Sequence, residues 1–270
     1  MSLRHGRSYL AIPGPSVMPD RVLAAMHRPA PNIYAGALPE MVEGLVPDLR
    51  TVFRTQGDVA IYIANGHGGW EAALANTLSR GDRVLALATG RFGHGWAETA
   101  RRMGLEVEVI DYGKRAPADP GPLHDRLAAD RAGDIRAVLA THADTATSAL
   151  SDIAGLRAAI DAAGHPALLM ADCIASLACD RFEMDAWGVD VTVAASQKGL
   201  MTPPGLAFVA FGERAARARE RADLATQYWD WRPRARPEQF YQYFGGTAPT
   251  HHLFALREAL DMLVHEEGLE

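Results

Sequence analysis

Lys198 stands at the mouth of an apolar run, Val189–Ala195. Gly199 and a stiff Pro203-Pro204-Gly205 turn follow it, before a second apolar run, Leu206–Phe211. An ammonium group held between such runs loses hydration, which lowers its pKa and leaves a nucleophilic neutral amine. Schiff-base formation with an aldehyde is the chemistry that suits it, and a solvated surface lysine is the competing reading. Asp172 closes another apolar run, Ala167–Asp172. A carboxylate there caps a helix, pairs with a cation, or keeps a cofactor's ring nitrogen protonated. Asn65-Gly66-His67-Gly68-Gly69 follows the run Val59–Ala64 and opens a helical segment, so its N–H groups suit a phosphate, although a plain tight turn looks the same. Phe92, within Thr89-Gly90-Arg91-Phe92-Gly93, could cover one face of a flat ring or simply fill core space.

Other chemistries fit less well. The dinucleotide fingerprint G-x-G-x-x-G fails because Glu71 replaces its third glycine, and Lys198-Gly199 lacks P-loop spacing. His67, His94, His142, His251 and His252 show no metal-ligand spacing, and no G-x-S-x-G elbow occurs.

These groups need elements to present them. Seven short apolar runs read as strands: Val59–Ala64, Arg83–Ala88, Leu105–Ile110, Ala137–Thr141, Ala167–Asp172, Val189–Ala195 and Leu206–Phe211. Their continuous apolar character suits a sheet covered on both faces. Helical patterns at Gly68–Leu78, Gly93–Met103, Leu123–Asp130 and Asp152–Ala163 alternate with them, which predicts an α/β fold with a mostly parallel sheet flanked by helices. Ligands bind such sheets outside the carboxyl ends of the strands, where the polar and glycine clusters fall. Before the first strand come a Pro13-Gly14-Pro15-Ser16 turn and helices near Pro19–Met26 and Pro39–Phe53. After the last come a charged helix, an aromatic loop at Tyr228–Trp231, and an amphipathic helix near Pro249–Glu267.

The chain of 270 residues carries a net charge of −6, which offers no basic footprint for nucleic acid. It has no apolar run long enough to span a membrane, and its start, including a Met1-Ser2-Leu3 that reads as an expression remnant, lacks a signal peptide's apolar stretch. Cys173 and Cys179 suggest neither a disulfide framework nor a metal pair, and a cytoplasmic setting is expected.

Taken in order, "NGHGGWEAAL", "THADTATSAL", "LLMADCIASLACDRFEMDAWGVDV", "ASQKGLMTPPG" and "GGTAPTHHLFALREAL" resemble the class V aminotransferases of fold type I, nearest the alanine–glyoxylate and serine–glyoxylate branch. The resemblance implies pyridoxal 5'-phosphate as cofactor, with transamination between a small amino acid (alanine, serine or aspartate) and a 2-oxo acid such as glyoxylate or pyruvate. Carried onto this sequence, Lys198 holds the cofactor and shuttles the proton, and Asp172 pairs with the pyridine nitrogen. Phe92 stacks on the ring, Ile174 packs on its other face, and Asn65, Gly66, His67 and Gln197 hold the phosphate. Thr147 supplies a hydroxyl near the ring oxygen, with a one-residue slip within Asp144–Thr147 left open. Gly14 meets the substrate carboxylate. A homodimer is implied, in which Tyr243 and Thr247 reach the partner's phosphate; Phe244 stands where the family has a tyrosine.

The resemblance divides the chain into an N-terminal arm with the substrate-side turn (1–30), a large cofactor-binding α/β domain (31–246) and a helix (247–270) leading to a small C-terminal domain. That domain and its carboxylate-gripping arginine lie outside these residues, and truncation is the expectation. The alternatives are a class V lyase or desulfurase, for which Cys173 and Cys179 are poorly placed, and an idle scaffold.

Overall fold

The computed structural model describes residues 10–269. Met1-Ser2-Leu3 and the rest of the stretch before Leu10, read above for a signal peptide and as part of the arm, lie outside the described residues, as does Glu270.

Among the described residues seven strands form one sheet: β1 (Asp58–Ala64), β2 (Arg83–Ala88), β3 (Glu106–Asp111), β4 (Ile135–Thr141), β5 (Leu168–Asp172), β6 (Val191–Ala195) and β7 (Gly205–Phe211). Their order is β1-β7-β6-β5-β4-β2-β3. Six strands run the same way, and β7 runs antiparallel between β1 and β6. The sheet is therefore mostly parallel, as the alternating pattern predicts. The antiparallel pair β6–β7 needs no helical crossover, so the Lys198 segment is a hairpin connection rather than a strand-to-helix turn.

Helices α1 (Asp20–Met26) and α2 (Ala37–Phe53) precede the sheet; α3 (Gly66–Thr77), α4 (Arg91–Arg102), α5 (Pro120–Ala129) and α6 (Ile153–Ala162) connect its parallel strands. After β7 come α7 (Glu213–Ala218), α8 (Arg232–Ala235), a 3-10 turn at Phe240–Phe244 and α9 (Thr250–Leu260). The helix expected to Glu267 changes to a π-helical turn over Asp261–Glu267, where His265 and Arg257 both reach the Asp48 carboxylate.

Every residue of β5 and β6 is buried, so neither strand alternates. One core, with Leu85, Val138, Leu169 and Phe208, fills one face of the sheet; a second, with Trp70, Trp96, Met170 and Val193, fills the other. Edge strand β3 is only half-buried and carries Glu106, Glu108 and Asp111, charges that discourage pairing with another chain.

Local chemistry ends each element where the site needs it. The Asn65 side-chain oxygen accepts from the N–H groups of His67 (3.1 Å) and Gly68 (3.5 Å), starting α3 directly after β1. Asp119 and Asp152 cap α5 and α6 in the same manner. Ser196 closes the β6–β7 hairpin: its N–H donates to Leu206 O (3.0 Å) and its hydroxyl to Pro203 O (2.7 Å).

Candidate active site

The carboxyl ends of β1, β4, β5 and β6 open onto a cavity of about 290 Å³, at the small end of the range for cofactor pockets. Asp172 is its floor, and Lys198 and Gln197 enter from the hairpin. Phe92 and Ile174 face it, together with the Asn65-Gly66-His67 turn, Gly14 and Thr145. A larger hollow of about 370 Å³ lies at the amino ends of the strands, lined by Arg136, Arg214, Arg217 and Arg221, with no lysine on its wall. Chemistry rather than size singles out the first.

Asp172 is 3 % exposed. The Ile174 N–H donates to its Oδ1 (2.8 Å) and the Trp70 indole N–H to its Oδ2 (3.1 Å). Burial pushes the carboxyl up to about 7; the two N–H donors hold it down, Asp144 adds to the rise, and Lys198 opposes it. Such a group is only partly ionised near neutral pH, and a cation set against it would favour the charged form.

Lys198 donates to the Pro13 carbonyl at 2.6 Å. Burial lowers its pKa, while Cys179 and Asp172 work against that shift. The Pro13–Ser16 turn is strapped to the lysine segment. Ser16 N–H donates to Gln197 O (2.8 Å), and its hydroxyl to Gln197 O (3.1 Å) and Lys198 O (2.8 Å). Gly14 sits so close that a methyl group on it would lie 2.3 Å from Lys198 Nζ, and its φ of +141° suits glycine.

Trp70 edges onto Phe92 (ring centroids 6.4 Å apart) and stacks on Trp96 (6.0 Å), so the floor of the cavity is backed by aromatic rings. Ile174, also on the cavity wall, packs onto Gly66: a methyl group there would lie 2.3 Å from its Cδ1. The Gln197 Oε1 is buried and has no hydrogen-bond partner among the described residues.

The cavity thus brings together Asn65, Gly66, His67, Phe92, Asp172, Ile174, Gln197, Lys198 and Gly14. Thr147 stays out. Its hydroxyl donates to Thr89 O (3.0 Å) and accepts from Ala149 N–H (3.2 Å), so Thr145, two positions earlier, lines the wall instead. Tyr243 is half-buried against the core and Thr247 is exposed; neither lines this cavity. Sequence reasoning missed Trp70, whose place one helical turn beyond Gly66 was its only signal, and the Ser16 strap, whose hydroxyl looked like an ordinary turn residue.

The residues fit pyridoxal phosphate. The deep carboxylate matches a ring nitrogen, the amine an aldehyde, the apolar pair Phe92 and Ile174 the ring faces, and the glycine turn with the Gln197 side-chain NH2 a phosphate.

A mostly parallel α/β sheet with a lysine hairpin and a strand-end aspartate at one cavity defines a protein of the fold type I class. Residues 8–270 match the model of the aminotransferase class-V family, and the chain belongs to that family. It is 42 % identical to the serine–glyoxylate aminotransferase of Methylorubrum extorquens over 99 % of this chain and 67 % of that protein. It is 43 % identical to the L-aspartate–glyoxylate aminotransferase of Paracoccus denitrificans over 83 % of this chain and 57 % of that one. The crystal structure of an alanine–glyoxylate aminotransferase from Nostoc sp. superposes with a TM-score of 0.86 at 28 % identity, covering 98 % of this chain and 71 % of that chain. The chain thus spans 57 % to 67 % of the length of these two curated relatives.

Proposed function

We propose that this chain forms the cofactor-holding part of a pyridoxal-phosphate-dependent aminotransferase. Its expected substrates are a small amino acid (alanine, serine or aspartate) and a 2-oxo acid such as glyoxylate or pyruvate. The observation that carries the reading is the convergence of buried Asp172 and half-buried Lys198 on one cavity that Phe92 and Ile174 also line. The names of the relatives support the glyoxylate acceptor and the amino donors.

When bound, pyridoxal phosphate supplies an aldehyde carbon and an electron-accepting ring. Asp172 would hold a negative charge against the ring nitrogen, and Trp70 and Ile174 fix the orientation of its two oxygens. Asn65, Gly66, His67 and Gln197 would hold the phosphate, and Phe92 and Ile174 would exclude water from the ring faces. Lys198 would anchor the cofactor. Once released by an amino-acid substrate, its Nζ would take the proton from the substrate Cα, a transfer helped by the lowered pKa of the amine. Gly14 would present its backbone to the substrate carboxylate.

A homodimer is compatible with Tyr243 and Thr247 not lining their own chain's cavity, with Thr247 exposed. A cytoplasmic setting fits two cysteines that form no disulfide. The desulfurase alternative needs an exposed, mobile cysteine over the cofactor; Cys173 is fully buried, with its thiol pushed up by burial, and Cys179, though exposed, sits against Gly199 and does not line the cavity.

The test is a visible absorption spectrum of the purified chain with pyridoxal phosphate, before and after adding alanine or serine. A lysine-linked band that shifts on adding amino acid supports the reading. The band should be absent in Lys198→Ala. A borohydride-reducible adduct persisting at this site in that variant would refute the assignment of Lys198.

A further inference from the structure

Helix α4 has no cap of its own. Its N-cap position is Gly90, which brings no side chain. Asp144, in the loop after β4, supplies what is missing from 52 residues away. Its Oδ2 accepts from the N–H groups of Phe92 (2.9 Å) and Gly93 (3.2 Å). These are the second and third helical positions, the donors that a Ser or Asp at the N-cap would ordinarily satisfy. Its Oδ1 accepts from Ala146 N–H (2.9 Å), and the loop closes back on the Asp144 carbonyl through the N–H groups of Thr147 (3.1 Å) and Ser148 (2.8 Å).

The Asp144 side chain is fully buried and forms no ion pair with a described Lys or Arg. Three amides and the positive end of the α4 dipole therefore meet its charge. Gly90 is the counterpart of this arrangement. A methyl group there would lie 2.6 Å from Asp144 Cγ and 2.8 Å from Thr147 Cγ2, so a capping side chain at Gly90 and the Asp144 carboxylate could not share the space. One carboxylate thereby fastens two walls of the same cavity: Phe92 at the start of α4, and Ala143 and Thr145 on either side of Asp144 itself.

We propose that Asp144 is a positioning residue for Phe92. It caps α4 in trans, and so sets where the aromatic ring stands over the cofactor plane. The inference rests on the reading of this cavity as the cofactor site. Asp144 does not line the cavity; it reaches Phe92 through the backbone it holds, apart from the negative charge it places near Asp172.

Two measurements test this on Asp144→Ala, Asp144→Asn, Phe92→Ala and the double variant Asp144→Ala/Phe92→Ala. The first is amide hydrogen exchange on the cofactor-free chain. Loss of the cap should speed exchange at Phe92 and Gly93 by about 5- to 30-fold, with Val138 and Leu139 inside β4 unchanged. Asp144→Asn keeps one acceptor oxygen for three amides and should fall between wild type and Ala, which covers the case in which Ala fails to fold. Unchanged exchange at Phe92 and Gly93 in both variants would overturn the capping role.

The second is the dissociation constant of pyridoxal phosphate, read from its visible band. Asp144→Ala should weaken binding in the wild-type background and cost clearly less in Phe92→Ala, because residues acting through one contact are not additive. Equal losses in both backgrounds would mean that Asp144 acts by another route, and would overturn the proposal. If Phe92→Ala itself left the affinity unchanged, the ring would not be part of the cofactor site. That failure is separate from loss of the cap, which the exchange experiment decides alone.

Discussion

Asp172→Asn separates the cost of burying this carboxylate from the use made of it. The unperturbed value is 3.8 and burial lifts it to about 7. A folded-state pKa raised for an acid means that the folded chain binds more protons than the unfolded one between those values, so stability falls as pH rises through that window. The fully developed penalty is roughly 4 kcal/mol, and roughly 2.5 kcal/mol of it should fall between about pH 5 and about pH 8. Asparagine carries no such penalty. It does lose one of two acceptors, so either the Trp70 or the Ile174 N–H is left unsatisfied at a pH-independent cost of about 1–3 kcal/mol. The absolute effect at one pH is thus a sum of opposing contributions, but the difference between two pH values isolates the ionisation.

Urea denaturation of the cofactor-free wild type and variant at the two pH values measures it. The variant should gain roughly 2.5 kcal/mol relative to wild type on going from about pH 5 to about pH 8. Other titrating groups are common to both chains and cancel. With pyridoxal phosphate the order should invert, since a ring cation makes the ionised aspartate the better partner; the variant should then retain the cofactor less well at the higher pH. A stability difference that does not change with pH would refute the claim that Asp172 is held in the folded chain against its own ionisation.

Two other perturbations probe neighbouring parts. Gly66→Ala forces a methyl group against Ile174 on the cavity wall; pyridoxal phosphate affinity should fall by about tenfold, with little change in Tm, and Ile174→Val, which removes the nearest atom, should recover part of it. Arg234 is 1 % exposed, donates to the carbonyls of Ile61 (2.8 Å), Tyr228 (2.8 Å) and Tyr243 (3.3 Å), and lies over the rings of Tyr62 and Tyr228. Arg234→Met fills the space but strands those carbonyls, and should lower urea-measured stability by roughly 3 kcal/mol; a change under about 0.5 kcal/mol would show that water replaces it.

The strands were legible because burial on both faces leaves unbroken apolar runs, as in Leu168–Asp172 and Val191–Ala195. The residue following each run then falls on one edge of the sheet, which is why Lys198 and Asp172 stood out before any contact was known. The direction of β7 was not legible: an apolar run reads the same in either sense, and only the shortness of the segment from Ser196 to Pro204 hints at a hairpin. Trp70, Ser16 and Asp144 were missed for a common reason. Each acts by a single hydrogen bond, or a few, to a group far along the chain, and local sequence carries no mark of such a partner. Thr147 and Thr145 differ only in which threonine the turn points inward, a matter settled by one bond to Thr89.

The hairpin that carries Lys198 has a bearing on how this chain can change over generations. The lysine's location is written in ladder bonds between β6 and β7 and in the Ser196 closure, all of them made by main chain or by one hydroxyl. Apolar residues along both strands can be exchanged for others of similar bulk without moving the amine, because the address is kept by peptide groups that every sequence possesses. Mutational drift in the sheet and constancy in the position of this nitrogen are then compatible.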